Sequence, residues 1–297
     1  MASEQTVVAV SGLRAGDQVR GVFACTRKDR LATRSGSPYL AIELRDRTGA
    51  VPARAFRDAD LLGSRFERGE LVQVSGRVER FRDELVVEVD DIARVEGVNG
   101  DGVDPARFLP AAYRDLDELD GFLEHLAAEV HDHQLRALLD GLLEDAQLRA
   151  AWRRAPCTRA AHHAYLGGLL EHTVAVATLA HDLCQLHPRL NADLLLCAAI
   201  VHDLGRAREF TYGAEFGLTE EGRLLGHLVI GERIVSGWCE RVGVSEDRRL
   251  AVAHCLLCHH GPAAAPGGRF SSAEALALYR LNAVDVGVKG AFERGLD

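Results

Sequence analysis

The chain of 297 residues has no run approaching the roughly 20 consecutive apolar residues of a membrane-spanning helix, so a helical membrane protein is not expected. Met1 to Val10 lacks a basic start followed by an apolar run, which leaves no expected secretory signal. The seven cysteines are odd in number and scattered, with no paired spacing of a disulfide framework, so a reducing, cytoplasmic setting is expected. Cys255-x-x-Cys258 stands without a second pair and reads as two small apolar residues on a helix rather than as a zinc or redox motif. Positive charge is in deficit: 35 Lys and Arg face 44 Asp and Glu, and the net charge of −9 argues against broad non-specific binding to duplex nucleic acid. Internal repeats and low-complexity tracts are absent from the sequence.

What is present divides in two. Residues 1–98 hold 16 basic and 16 acidic residues, which leaves 19 basic and 28 acidic residues for the remainder, so all of the negative excess lies in the second part. The first part reads as strands. Gln18 to Thr26 is rich in β-formers, Tyr39 to Arg45 alternates apolar and polar residues, and Asp46-Arg47-Thr48-Gly49 is a turn before Ala50 to Phe56. A short helical stretch over Asp58 to Phe66 precedes Leu71 to Phe81 and Glu84 to Val95, a hairpin around Arg82-Asp83. Five strands with a short helix before the fourth predict an OB-fold barrel. Arg27, Lys28, Arg30 and Arg34 cluster at the expected first loop, and Phe23, Tyr39, Phe56 and Phe81 lie on or near strands. Arg27, Lys28 and Tyr39 are therefore candidate contacts for single-stranded nucleic acid. Val95 to Pro105 is Gly- and Asp-rich without periodicity, which predicts a linker over 99–110 and a second, helical domain over 111–297.

The second domain carries the chemistry. Leu116 to Leu148 is helix-periodic and offers only packing or an oligomer surface. His172 sits in an apolar-periodic run, and the apolar run Leu194 to Val201 ends in the pair His202-Asp203, with Gly205 as a helix stop. A buried histidine and aspartate are costly unless paired, and a divalent metal pairs both. Further candidates arrive on later helices: His227 in GRLLGHLVIGE, His254, His259 and His260 in AHCLLCHHG, and Asn282 and Asp285 in LALYRLNAVD. Mixed imidazole and carboxylate ligation suits Mn, Fe, Co, Ni or Zn better than Mg. Gly261 to Gly268 reads as a flexible loop bordering a substrate entrance.

The order His172, His202-Asp203, then a late acidic position resembles the HD-domain metal phosphohydrolases. The stretches APCTRAAHHAYLGGLLEHT (155–173), LLLCAAIVHDLGRAREF (194–210), EGRLLGHLVIGE (221–232) and CHHG (258–261) look more closely like the YhaM-type 3′-to-5′ exoribonucleases, which join an OB-fold to an HD domain. The resemblance implies that His172, His202 and Asp203 hold one metal ion and that Asp203 bridges to a second. That second ion would be completed by His227 and one of His259 and His260, with His259 preferred. In the family a stretch like Tyr-Ala-Asp-Asn-Leu-Asp supplies the late ligand. Aligned on Asp285, its first Asp falls on Asn282, whose oxygen coordinates without charge, or Asp285 substitutes. The Gly-Lys that commonly follows the HD pair is Gly205-Arg206, which keeps the charge and grips phosphate bidentately.

The resemblance thus implies a two-ion, manganese-first hydrolysis of phosphodiesters in single-stranded RNA, with single-stranded DNA as a further substrate. Asp203 would orient the nucleophile, Arg206 and Arg159 would neutralise phosphate, and His163 would touch substrate. A homo-oligomer is expected, without membrane association. Two rivals stand beside this reading. One is an HD phosphohydrolase of free or cyclic nucleotides, for which the barrel is an assembly module. The other is a binder with a decayed metal site, for which Asn282 is the mark.

Overall fold

The computed structural model describes residues 9–95, 104, 107–293 and 295. The chain forms two compact units, one of residues 1–110 with 212–217 and the other of 111–211 with 218–297. Of the expected linker 99–110, residues 99–103, 105 and 106 lie outside the described residues, as do 1–8.

The first unit is a closed five-stranded barrel. Its strands are β1 (Gln18–Ala32), β2 (Pro38–Asp46), β3 (Gly49–Ala55), β4 (Leu71–Phe81) and β5 (Glu84–Arg94), with helix α1 (Ala59–Gly63) before the fourth. The order around the barrel is β1-β2-β3-β5-β4, and β1 closes it by pairing antiparallel with both β2 and β4, while β3 runs parallel to β5. Alternation decides which side chains point inward: Val72, Val74 and Val78 of β4 are buried with Phe23, Leu44, Val87 and Ile92 in one core. Arg82 and Asp83 both take positive φ, 51° and 66°, as a two-residue hairpin turn with the right twist requires. At the β4–β5 bulge Gly76 is needed, because a Cβ there would lie 2.2 Å from the Glu88 carbonyl oxygen.

The expected OB-fold barrel is therefore what the chain forms, with two differences of detail. β1 does not end at Thr26. A bulge between Cys25 and Arg27 shifts its register, and the strand continues to Ala32 opposite β2, so Arg27, Lys28 and Arg30 lie on a strand rather than in a loop. That arm is wetted on both faces, so no apolar alternation marks it in the sequence. Phe23 is buried in the core and is not a stacking surface.

The second unit is helical: α2 (Leu116–Ala128), α3 (His133–Glu144), α4 (Ala146–Arg154), α5 (Gly168–Leu186), α6 (Ala192–Val201), α7 (Arg206–Glu209), α8 (Glu220–Val242), α9 (Glu246–Cys258) and α10 (Ala273–Glu293). Asp115, Asp132, Asp145 and Asn191 cap α2, α3, α4 and α6 by accepting from backbone N–H groups of the first turn. α6 is apolar all round and every residue from Leu194 to Val201 is buried, so it runs through the centre of the bundle. Its last turn sets His202 and Asp203 at the heart of the unit. Between α7 and α8 the chain forms a short hairpin of β6 (Phe210–Tyr212) and β7 (Phe216–Leu218), of which residues 212–217 belong to the first unit. Among the described residues no helix is long and apolar enough to cross a membrane.

Candidate metal centre

Four elements deliver the site, and each does so by a local device. α6 and α9 use the same one. His202 and His259 sit at the C-caps of these helices, and each ring places Nδ1 on the carbonyl oxygen three residues back, Ala199 at 2.8 Å and Leu256 at 2.6 Å. A carbonyl only accepts, so Nδ1 carries the proton and Nε2 is left as a bare lone pair. His172, in the second turn of α5, reaches the same state differently: its Nδ1 lies 2.6 Å from Asp285 Oδ2 on α10. His227 follows a break in α8. Gly226 adopts φ 69° and ψ 164°, a conformation open in practice to glycine alone, and the chain restarts its helix with the imidazole beside Asp203.

These rings converge on Asp203. His172 Nε2 and His202 Nε2 are 3.1 Å apart, and they lie 3.7 and 3.8 Å from Asp203 Oδ2. His227 Nε2 and His259 Nε2 each lie 3.3 Å from Oδ1. Two groups of donors thus share one carboxylate: Asp203 with His227, His259 and His260, and Asp203 with His172 and Cys157, each within 4.8 Å. Asp203 Oδ1, His259 Nε2 and Asn282 Oδ1 are buried without a hydrogen-bond partner. Lone pairs crowded together with no proton among them are unfavourable in a dry interior unless a cation sits between them. The residues present fit a divalent metal on that ground.

Charge is arranged to match. Burial alone would raise the Asp203 carboxyl, but Arg206 and His202 hold it well below the usual carboxylate range. Burial pushes His202 well below the ordinary imidazole value and, with His259 beside it, takes His260 down to about 3. Arg206 is turned inward: Nε donates to Asp203 Oδ2 at 2.8 Å and Nη1 to Glu209 Oε2 at 3.3 Å. Glu209 in turn lies 3.6 Å from His227 Nδ1. Packing holds these helices close. A Cβ on Gly205 would fall 2.0 Å from the His227 carbonyl oxygen, and one on Gly168 would fall 2.1 Å from that of His163.

The structure brings together His172, His202, Asp203, His227, His259, His260 and Arg206. Asn282 is buried nearby, with Nδ2 donating to the His259 carbonyl at 3.3 Å. Asp285 stands behind His172 and also meets His163 Nε2 at 2.9 Å. Arg159 is exposed in the irregular segment between α4 and α5. Arg27, Lys28 and Tyr39 belong to the barrel. There Arg27 pairs with Asp29, Lys28 with Glu67 and Arg30 with Asp60, while Tyr39 stacks on Phe56 at 5.3 Å. Phe56 and Phe81 are 46% and 44% exposed, and Arg54 and Arg82 lie over the Phe81 ring. Three residues of the site were not singled out by sequence reasoning. Cys157 places Sγ 3.6 Å from Asp203 Oδ2, Glu209 closes the Arg206 pair, and His162 lies with its ring centre 6.0 Å from that of His172. Burial lowers His162 to about 4. Only the adjacent pair His162-His163 carried a signal that could have found it.

Residues 169–286 match the family model for the HD domain. The helical unit carries an HD domain. Residues 19–95 match the model for an OB-fold nucleic acid binding domain, which agrees with the barrel topology. His202 and Asp203 lie within the matched residues, and they are the pair that α6 carries to the centre of the bundle. Most of the chain, across both units, is similar to proteins named 3′-5′ exoribonuclease YhaM. The relative from Shouchella clausii is 27% identical over 250 residues, covering 84% of this chain and 76% of that protein. Those from Halalkalibacterium halodurans and a Geobacillus species are 25% and 29% identical over 245 and 230 residues, covering 82% and 77% of this chain and 75% and 69% of theirs.

Proposed function

We propose that this chain is a metal-dependent 3′-to-5′ exoribonuclease acting on single-stranded RNA. The observation that carries the reading is the convergence of imidazole Nε2 atoms on Asp203 in the HD domain of a chain that also carries an OB-fold. His172, His202 and Asp203 would hold one ion, and Asp203, His227, His259 and His260 a second, with Mn²⁺ the first candidate. Such ions supply Lewis-acid chemistry at a phosphodiester. The chain's own residues do the rest. Burial opposes the charge on Asp203, and Arg206 beside it keeps the carboxyl ionised. Arg206 fixes the rotation of that carboxylate through Oδ2 and leaves Oδ1 to the ring of histidines. Glu209 steadies both Arg206 and His227. On the barrel, Tyr39, Phe56 and Phe81 with Arg54 and Arg82 make a surface on which bases stack and phosphates pair, which tolerates any sequence. A homo-oligomer in the cytoplasm is part of the same reading, and light scattering of the purified chain tests the assembly.

The experiment is a 5′-labelled single-stranded RNA incubated with Mn²⁺, Mg²⁺ or chelator, beside a DNA strand of the same sequence. The expected result is a descending ladder that needs metal and disappears in Asp203→Ala. Cleavage that survives in Asp203→Ala, or binding without cleavage in every metal, overturns the proposal. The DNA lane decides whether the sugar is read.

A further inference from the structure

Three buried histidines present Nε2 to the centre, but they are aimed by different means. His202 and His259 are held by carbonyls of their own helices, which cannot move without unwinding the helix. His172 is held by a side chain, Asp285 Oδ2, from another helix. That same oxygen also takes a hydrogen bond from His163 Nε2 at 2.9 Å. His163 is buried, 1% exposed, and its backbone sits in the left-handed region at φ 48°. A non-glycine residue there costs energy and persists only where its surroundings fix it. They do so at every polar atom. The amide N–H donates to Glu293 Oε1 at 3.1 Å, the carbonyl accepts from the Cys157 amide at 3.0 Å, and Nδ1 meets the Tyr165 hydroxyl at 2.9 Å. Gly168 leaves room for that carbonyl.

From this we infer that His163 is a positioning residue, acting on the metal centre through Asp285 to aim His172. This rests on the metal-dependent reading of the site. Through its hydrogen bond His163 fixes the rotamer of Asp285, Asp285 fixes the ring plane of His172, and His172 then presents Nε2 toward Asp203. Partners of this kind behind a metal-binding imidazole change metal affinity by roughly 10- to 100-fold when removed.

The test is calorimetric titration of Mn²⁺ into the full-length chain, without substrate, for wild type, His163→Ala, His163→Gln, Asp285→Asn and the double variant His163→Ala/Asp285→Asn. Glutamine carries an amide nitrogen near the position of the imidazole Nε2. The expected result is weakening by roughly 10- to 100-fold in His163→Ala and Asp285→Asn, recovery of most of the affinity in His163→Gln, and no further loss in the double variant. A merely structural role would leave Mn²⁺ affinity unchanged in the folded fraction, which thermal melting of the metal-free proteins measures. Wild-type affinity in His163→Ala, or additive losses in the double variant, overturns the inference and leaves the proposed nuclease standing. A wild-type chain that takes up no Mn²⁺ overturns both.

Discussion

Gly205→Ala tests whether the HD centre depends on the close approach of two backbones. A Cβ at this position would lie 2.0 Å from the His227 carbonyl oxygen, 2.5 Å from the Gly231 nitrogen and 2.9 Å from the His227 carbonyl carbon. All three atoms are backbone, so no side chain can rotate away. Relief needs α7 and α8 to separate by more than about 1 Å to restore an ordinary contact, and the cost of such overpacking is roughly 1–3 kcal/mol. In a unit of this size that lowers the melting temperature by roughly 2–12 °C. The separation acts on the site as well, because Asp203 stands two residues before Gly205 while His227 is the residue struck. A misplacement of about 1 Å costs on the order of 100-fold in rate. Melting of the metal-free chain and the rate of RNA cleavage in Mn²⁺ are the assays. A variant that melts within 1 °C of wild type (well inside the roughly 2 °C lower bound) and cleaves at an undiminished rate would refute the reasoning.

Acid should destabilise the metal-free chain. His202, His260 and His162 have folded pKa values below the free imidazole value of 6.5, so the unfolded state takes up protons first as the pH falls. Their contribution is intact above 6.5 and is lost on the way down toward about 3, and the depressed Asp203 and Asp285 add a loss of the same sign below 3.8. Melting temperature should therefore drop between pH 7.5 and pH 5; a flat profile would show that these rings are already charged. Phe56→Ala and Phe81→Ala should each weaken single-stranded RNA binding by roughly 5- to 150-fold, the worth of one stacked base, without changing Mn²⁺ affinity. Equal RNA affinity in both variants would remove the barrel aromatics from the binding surface. Asn282→Asp replaces an amide that donates to the His259 carbonyl with a charge. The metal-free variant should melt lower than wild type and gain more from added Mn²⁺, and an identical metal-induced shift would mean that position 282 does not face the ion.

Much of this was legible in the sequence, and the residues explain why. The alternation of Leu71 to Phe81 and the apolar run before His202-Asp203 are local signals, and both produced the expected element in the expected place. The sequence marks strand β1 only as far as Thr26 because its outer arm is charged on both faces. Phe23 looked like the other barrel aromatics, since only the pairing of β1 with β4 decides that it points inward. Cys157 and Glu209 carry no local mark of their positions. Cys157 meets Asp203 across 46 residues of chain, and Glu209 meets His227 across a helix break that only the backbone angles of Gly226 reveal. The histidines were found by their type and number; which nitrogen each would present was settled by the carbonyl or carboxylate behind it.

That break has a consequence for anyone who sets out to make the protein more heat-resistant. A glycine inside a 23-residue helix is a conventional target for replacement by alanine, and at most such positions the gain is roughly 1 kcal/mol. At Gly226 nothing lies within 4 Å of where the new methyl group would go, so a search for steric conflict would pass the change. The obstacle is the dihedral pair alone. An alanine would favour continuous helix, and each residue of regular helix turns the chain by about 100°, so His227 and all that follows would be rotated away from Asp203. The irregularity that most lowers the helix's intrinsic stability is thus the one whose repair would disarm the protein.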